Sequence, residues 1–302
     1  MGFFMGELLL ATAWVFLGDP SRGEVRVWSG SSASAPRVLE GLVELRALGA
    51  DRERGVWVAH GAHGREIVRA ELVPALLAPR VARVQRLALA SGVRALAAGS
   101  GPSCVALVES GALVLVRASA RGLELGAEEA WPPLHAVAAD ARGALLLSDV
   151  DGGLYRAESS DLRFASAVRV AAPGVPIEAI AWCSARSAWL AVESGAGHLR
   201  CLAPDGSERL RLALPFPAIA AAGSSSRLWV ASASENFVAS IDLAAGIPRW
   251  RAEEVPPGDL GHVFARGSRL VAVGSTRWSW RRRGAWLAGA GGPGLLAVER
   301  PR

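Results

Sequence analysis

The stretch LHAVAADARGALLLSDVDGGLYRAESSDLRFASAVRV, Leu134–Val170, decides the fold. Its apolar runs are four to seven residues long, too short for helices, and each is closed by Gly, Asp or Ser where the chain must reverse. It parses as four strands: LHAVAAD inside, ALLLSD after the DARG turn, GLYRAE after the VDGG turn, and FASAVRV outside. The second strand is apolar without alternation. That pattern is expected of a strand whose two faces are both covered, rather than of one that faces water on one side.

Outward from this unit, the same phrase recurs to make seven in all: an apolar run, a turn, then a strand that usually ends in arginine. It reads GELLLATA before GEVRVW, GVWVAHG before IVRAEL, SCVALVESG before VLVRAS, ALLLSDVDG before LYRAES, AWLAVESG before HLRCLA, RLWVASASEN before VASIDL, and finally RLVAVGST. With Leu9, Trp57, Val105, Leu146, Trp189, Trp229 and Val271 as equivalent positions, the spacing is 40 to 48 residues. This is the period of one four-stranded propeller blade. The expectation is an all-β, single-domain β-propeller over residues 1–302, seven blades preferred. GLLAVERP is expected to serve as the outer strand of the last blade. In the six-bladed alternative, EVRVW and PRVLEG would close the last blade instead.

RLWVASASENFVASIDLAAG, Arg227–Gly246, resembles the YVTN-type propeller repeat, with its aromatic strand, Ser/Asn turn and V-x-x-I-D strand. ADARGALLLSDVDGGLYR, Ala139–Arg156, resembles NHL-type and lactonase-type repeats. The resemblance, broadly WD40-like, implies the propeller superfold, which hosts both binding scaffolds and enzymes.

Composition excludes several classes. Half the residues are apolar and a fifth are charged, so the chain is neither disordered nor collagen-like. All 33 cationic residues are arginine, as codon usage in a G+C-rich bacterial genome would produce. The charge of +5 is interspersed, so no nucleic-acid footprint is spread over the chain. Cys104, Cys183 and Cys201 form no CxxC pair, and a strand between Cys183 and Cys201 argues against a disulfide. They are expected to fill apolar sites. The apolar N-terminal run lacks a cationic leader and carries Glu7, so it reads as a blade strand more readily than as a signal sequence, and a cytoplasmic location is slightly preferred over a periplasmic or secreted one.

No residue set forms a catalytic signature, and no cofactor is expected. A divalent ion in the channel would need converging oxygens, for which Glu44, Asp140, Glu178 and Asp259 are the candidates of an alternative, lactonase- or lyase-like reading. Asp149 and Asp151 read as turn residues. His60 and His63 share a turn and read as solvated, whereas His135 and His262 lie on inner strands. Trp57, Trp189 and Trp229 share one slot and read as core between blades. Arg26, Arg69, Arg117, Arg156 and Arg200 follow the third strands and are expected at the rim or paired with acids.

TRWSWRRRGAWLAG, Thr276–Gly289, departs from the repeat. Tryptophan beside arginine is the composition of interface hot spots. Trp278, Trp280, Arg281, Arg282, Arg283 and Trp286 are therefore the candidate partner-binding residues of a non-catalytic scaffold. A protein partner is expected, ahead of nucleic acid or a membrane surface, and no segment is long enough to be a transmembrane helix.

Overall fold

The computed structural model describes residues 15–28, 37–51, 53–73, 79–98, 101–129, 131–140, 142–160, 162–172, 174–195, 197–232, 237–243, 249–254, 260–266, 269–274, 278–282, 285–288 and 295–298, with side chains followed as far as Ala252. GELLLATA, and with it the choice between strand and signal sequence, lies outside the described residues, as do residues 74–78.

Among the described residues 28 strands form seven four-stranded antiparallel sheets. The first holds β1 (Val15–Asp19), β2 (Glu24–Trp28) and β3 (Arg37–Leu39). The second runs β4 (Ala47–Ala50), β5 (Gly55–His60), β6 (Glu66–Val73) and β7 (Arg80–Ala88), and the third β8 (Val93–Ala98), β9 (Ser103–Val108), β10 (Leu113–Ala118) and β11 (Leu123–Glu129). Next come β12 (Leu134–Ala139), β13 (Leu145–Asp149), β14 (Leu154–Ser160) and β15 (Arg163–Ala171), then β16 (Ile177–Cys183), β17 (Ala188–Glu193), β18 (His198–Leu202) and β19 (Glu208–Ala213). The sixth sheet is β20 (Ala218–Gly223), β21 (Arg227–Ser232), β22 (Phe237–Asp242) and β23 (Trp250–Glu254). The seventh is β24 (Leu260–Arg266), β25 (Arg269–Gly274), β26 (Trp278–Arg282) and β27 (Ala285–Ala288), leaving β28 (Leu295–Val298) to complete the first.

The first strands of successive sheets lie side by side in a closed cycle, β4 to β8, β12, β16, β20, β24, β28 and back to β4. They are the inner strands around an axis, and the arrangement is a β-propeller. Within every sheet from the second to the seventh the chain then meanders outward, so each outermost strand is an edge.

Two expectations are corrected at the closure. β28, the LLAV of GLLAVERP, is not the outer strand of the last sheet. It pairs with β1 as the inner strand of the first, in the register Phe16↔Ala297 and Leu17↔Leu296. The second-strand slot of that sheet is filled by VFLGD rather than GELLLATA, because β1 pairs with EVRVW across the GDPSRG turn, Leu17 opposite Arg26. Joining the two ends of the chain in one sheet buries Phe16 and Leu17 completely.

Burial follows position. All six residues of β5, of β9 and of β17 are buried, and so are all five of β13. By contrast, β7 and β19 are mostly exposed or half-buried. Between sheets, the inner strands β4, β8, β12 and β16 turn larger side chains toward the preceding sheet and small ones toward the next. Leu96 packs with Trp57 of the second sheet, while Ile180 and Trp182 pack with Leu146 and Ala138 of the fourth. Gly49 of β4 faces Leu96 so closely that a Cβ there would lie 3.2 Å from that of Leu96.

Trp57, Trp189 and Trp229 are all buried, as expected of core between blades. They do not share one slot. Trp57 lies opposite Gly49 and Trp229 opposite Ala222, but Trp189 lies opposite Trp182, with which it makes an edge-to-face contact at 4.7 Å. One residue of displacement along a strand turns a side chain to the other face, so Trp189 packs toward the fourth sheet while Trp57 packs toward the third.

The turns from first to second strand, and from second to third, rest on aspartates. Asp51 Oδ1 accepts the N–H groups of Glu53 and Gly55, Asp140 Oδ1 those of Arg142 and Ala144, and Asp149 Oδ1 those of Asp151 and Gly153. Each carboxylate thereby occupies its own turn, and Asp149 and Asp151 belong to a turn, not an ion loop.

Candidate functional site

The strand meander gives the propeller two faces. One carries the connections that lead into the inner strands together with the turns from second to third strands. The other carries the turns that leave the inner strands.

The candidate oxygen ligands are divided between these faces. Glu178 opens β16 and Glu44 precedes β4, both exposed on the first face. Asp140 follows the far end of β12, on the second face, and its Oδ1 is committed to its turn. Glu44 accepts a hydrogen bond from the His63 N–H at 3.3 Å. Asp259 lies outside the described residues. Among the described residues no group of three or more His, Cys, Asp or Glu is placed to hold a metal ion.

The histidines of the 60–63 turn are not both solvated. His60 is buried, with Nε2 3.4 Å from Glu66 Oε2. Burial lowers its pKa, against the opposing pull of Glu66. His63 is exposed and 4.0 Å from Glu109. His198, on β18, holds Nδ1 3.0 Å from Oε2 of the buried Glu193, whose Oε1 accepts from Arg211 at 2.8 Å. His262 lies on β24, its side chain outside the described residues.

The third-strand arginines pair with acids as expected: Arg26 with Glu24 at 2.6 Å, Arg200 with Glu208 at 2.6 Å, Arg117 with Glu124 at 3.5 Å, and Arg156 with Glu158. Arg69 also pairs with an acid, Asp51 at 2.8 Å, and does so buried rather than at the rim. All three cysteines are buried free thiols. Burial raises the pKa of each, pushing Cys201 up to about 11.

The Trp/Arg segment does not break the repeat. Trp278–Arg282 is β26 and Ala285–Ala288 is β27, third and outer strands of the seventh sheet in the same order as the other sheets. Trp278 lies opposite Val273, Trp280 opposite Val271 and Leu287, and Arg281 opposite Leu270 and Trp286. Arg283 lies outside the described residues.

A second constellation was not anticipated. Five inner strands carry a register shift at their second residue: between Val93 and Ala95, Leu134 and Ala136, Ile177 and Ala179, Ala218 and Ala220, and Leu260 and His262. The residue left without a cross-strand partner is Arg94, His135, Glu178, Ile219 or Gly261. The triplet Leu45–Arg46–Ala47 leads into β4 in the same way, with the Arg46 N–H bonded to the Ala59 carbonyl at 2.9 Å. The signal was in the sequence as a repeated apolar–X–Ala triplet, LRA, VRA, LHA and IEA. Without the bulge, X is indistinguishable from any other strand position.

No protein-family model and no curated protein matches the sequence. Solved structures do. A protein provisionally assigned as a 6-phosphogluconolactonase from Bacteroides fragilis superposes with a TM-score of 0.73 over 96% of this chain and 98% of its own, at 12% identity. The Swd1 β-propeller domain of Myceliophteria thermophila gives 0.65 over 87% and 93%, also at 12% identity. Virginiamycin B lyase from Staphylococcus aureus gives 0.59 over 81% and 83%, again at 12%. At these identities the likeness shows the fold, and it spans lactonase-like, lyase and WD40-type proteins alike. No helix among the described residues is long and apolar enough to cross a membrane.

Proposed function

We propose that the chain is a non-catalytic propeller scaffold of YVTN- or NHL-like repeats forming a single domain, and that it binds a protein partner along the rim of its seventh sheet. The observation that carries this is the outer edge. Outer strands normally carry charges that discourage pairing with foreign strands. β7 has Arg80, Arg83 and Arg86, β15 has Arg163 and Arg169, and β19 has Glu208, Arg209 and Arg211. β27 is AWLA, with no charge at all. Beside it, on β26, lie Trp278, Trp280, Arg281 and Arg282, and on it Trp286; Arg283, the remaining candidate, follows β26 in the sequence. An uncharged edge next to aromatic anchors and guanidinium groups is the composition of an interface centre with a polar rim.

The metal-dependent reading, favoured by the lactonase- and lyase-like neighbours, asks for some of Glu44, Asp140, Glu178 and Asp259 to converge; of the three described, Asp140 lies on the face opposite Glu44 and Glu178. Their division between two faces speaks against it.

The test is affinity capture with the full chain and with a Trp278→Ala/Trp280→Ala/Arg282→Ala variant, followed by titration of whatever partner the full chain retains. Hot spots of this kind cost about 2 kcal/mol or more each when truncated, so partner affinity is expected to fall by well over tenfold while the unfolding midpoint stays near that of the parent chain. An unchanged capture profile sinks the reading.

A further inference from the structure

The bulges at the heads of the inner strands play no part in the rim interface of the seventh sheet. In each triplet the first residue is buried, Leu45, Val93, Leu134, Ile177 and Ala218, and so points into the core between sheets. The second, unpaired residue is re-aimed by the bulge, as such extra residues are. On an innermost strand, flanked on both sides by other inner strands, an exposed side chain at this end opens onto the channel mouth. Arg46, Arg94, His135 and Glu178 are all exposed.

Order around the ring then matters. The second, third and fourth sheets are consecutive, and their bulge positions are Arg46, Arg94 and His135. Neither guanidinium group makes a hydrogen bond or ion pair with another described residue. Glu44, two residues before Arg46, accepts from the His63 N–H, and Glu109 lies 4.0 Å from the His63 ring. The next residue of each inner strand is alanine, Ala95, Ala136, Ala179 and Ala220, which has no side-chain group to compete for hydrogen bonds with the two guanidinium groups. On the far side the ring changes character, to Glu178, Ile219 and Gly261.

We infer that the channel mouth is a binding site for a small organic anion. Its carboxylate or phosphate group is taken by Arg46 and Arg94, whose planar forks match two-oxygen acceptors, with His135 as a third donor. Glu178, across the mouth, accepts from a hydroxyl or ammonium elsewhere on the same molecule. Glu178 also disfavours an extended polyphosphate chain such as nucleic acid, whose next phosphate it would repel.

The experiment is isothermal titration of the full chain with inorganic phosphate and, separately, with citrate, at constant ionic strength. Saturable binding in the millimolar range or tighter is expected for at least one probe; phosphate alone identifies a phosphate ester as the ligand class, citrate alone a carboxylic acid. Arg46→Gln and Arg94→Gln keep the aliphatic stems and are each expected to weaken binding about tenfold or more, as loss of a charge-assisted hydrogen bond does. Exposed Arg121→Gln, on an outer turn, should change nothing, and so should the Trp278→Ala/Trp280→Ala/Arg282→Ala variant, which keeps this site separate from the rim interface. Unfolding midpoints of both glutamine variants should match the parent, because the replaced side chains are exposed. No saturation by either probe, or parental affinity in the Arg46→Gln/Arg94→Gln double variant, overturns the inference.

Discussion

Arg69 donates from Nε to Oδ2 of Asp51 across 2.8 Å, with both side chains buried. The same oxygen accepts from Trp57 Nε1 at 2.8 Å, and the Arg69 guanidinium lies 5.6 Å from the centre of the Trp57 ring. Meanwhile Asp51 Oδ1 holds the turn through the N–H groups of Glu53 and Gly55. One carboxylate therefore joins the first turn, the second strand and the third strand of the second sheet.

Removing that carboxylate should be among the most damaging single changes in the chain. Asp51→Ala strands a buried guanidinium and an indole N–H, a loss of about 3–5 kcal/mol. Urea unfolding measures it. Arg69→Met combined with Asp51→Ala should recover part of the loss, since a buried pair replaced by apolar groups costs less than a buried charge left alone. A loss below about 1 kcal/mol for Asp51→Ala would contradict the network.

Gly49 and Leu96 test the packing between sheets. Gly49→Val adds a branched side chain where even a Cβ stands 3.2 Å from Leu96, and overpacking of this kind costs about 1–3 kcal/mol. Leu96→Ala in the same chain opens room across the boundary. The two changes should therefore be less costly together than their sum, with a coupling of about 0.5 kcal/mol or more in a double-mutant cycle. Additive losses would mean that the two strands do not meet.

His60 makes stability depend on pH. Burial lowers its pKa below the ordinary 6.5, so as pH falls past that value the unfolded chain takes up the proton before the folded one does. Stability from this residue is flat above about pH 7 and declines as pH drops from about 6.5 toward the lowered folded value. His60→Gln should flatten that decline while leaving the acid unfolding of the carboxylates in place. Urea midpoints of parent and variant on either side of pH 6.5 show the difference; parallel curves would remove His60 as its source.

Much of the architecture is legible in the sequence because its causes are local. Continuous apolar runs mark the second strands, since a strand covered on both faces has no solvent side to alternate toward. DARG and VDGG mark turns, because an aspartate can bond the backbone N–H groups two and four residues on, whatever lies elsewhere in the chain. Four strands per unit, seven phrases and buried tryptophans follow from such signals.

What the tertiary structure alone decided depends on which strand lies beside which. LLAV near the end of the sequence has the composition of any strand; only its pairing with VFLGD makes it the inner strand of the first sheet. Trp189 has the sequence setting of Trp57, yet one residue of register sends it toward the opposite neighbour. Arg69 resembles the other third-strand arginines until Asp51 is found beneath it. Arg46 and Arg94 read as ordinary strand residues, and a bulge plus a place in the ring brings them to the same channel mouth as His135. In each case the chain chemistry is local but the neighbour is supplied from tens of residues away, and a contact across sheets leaves no trace in the spacing of either strand.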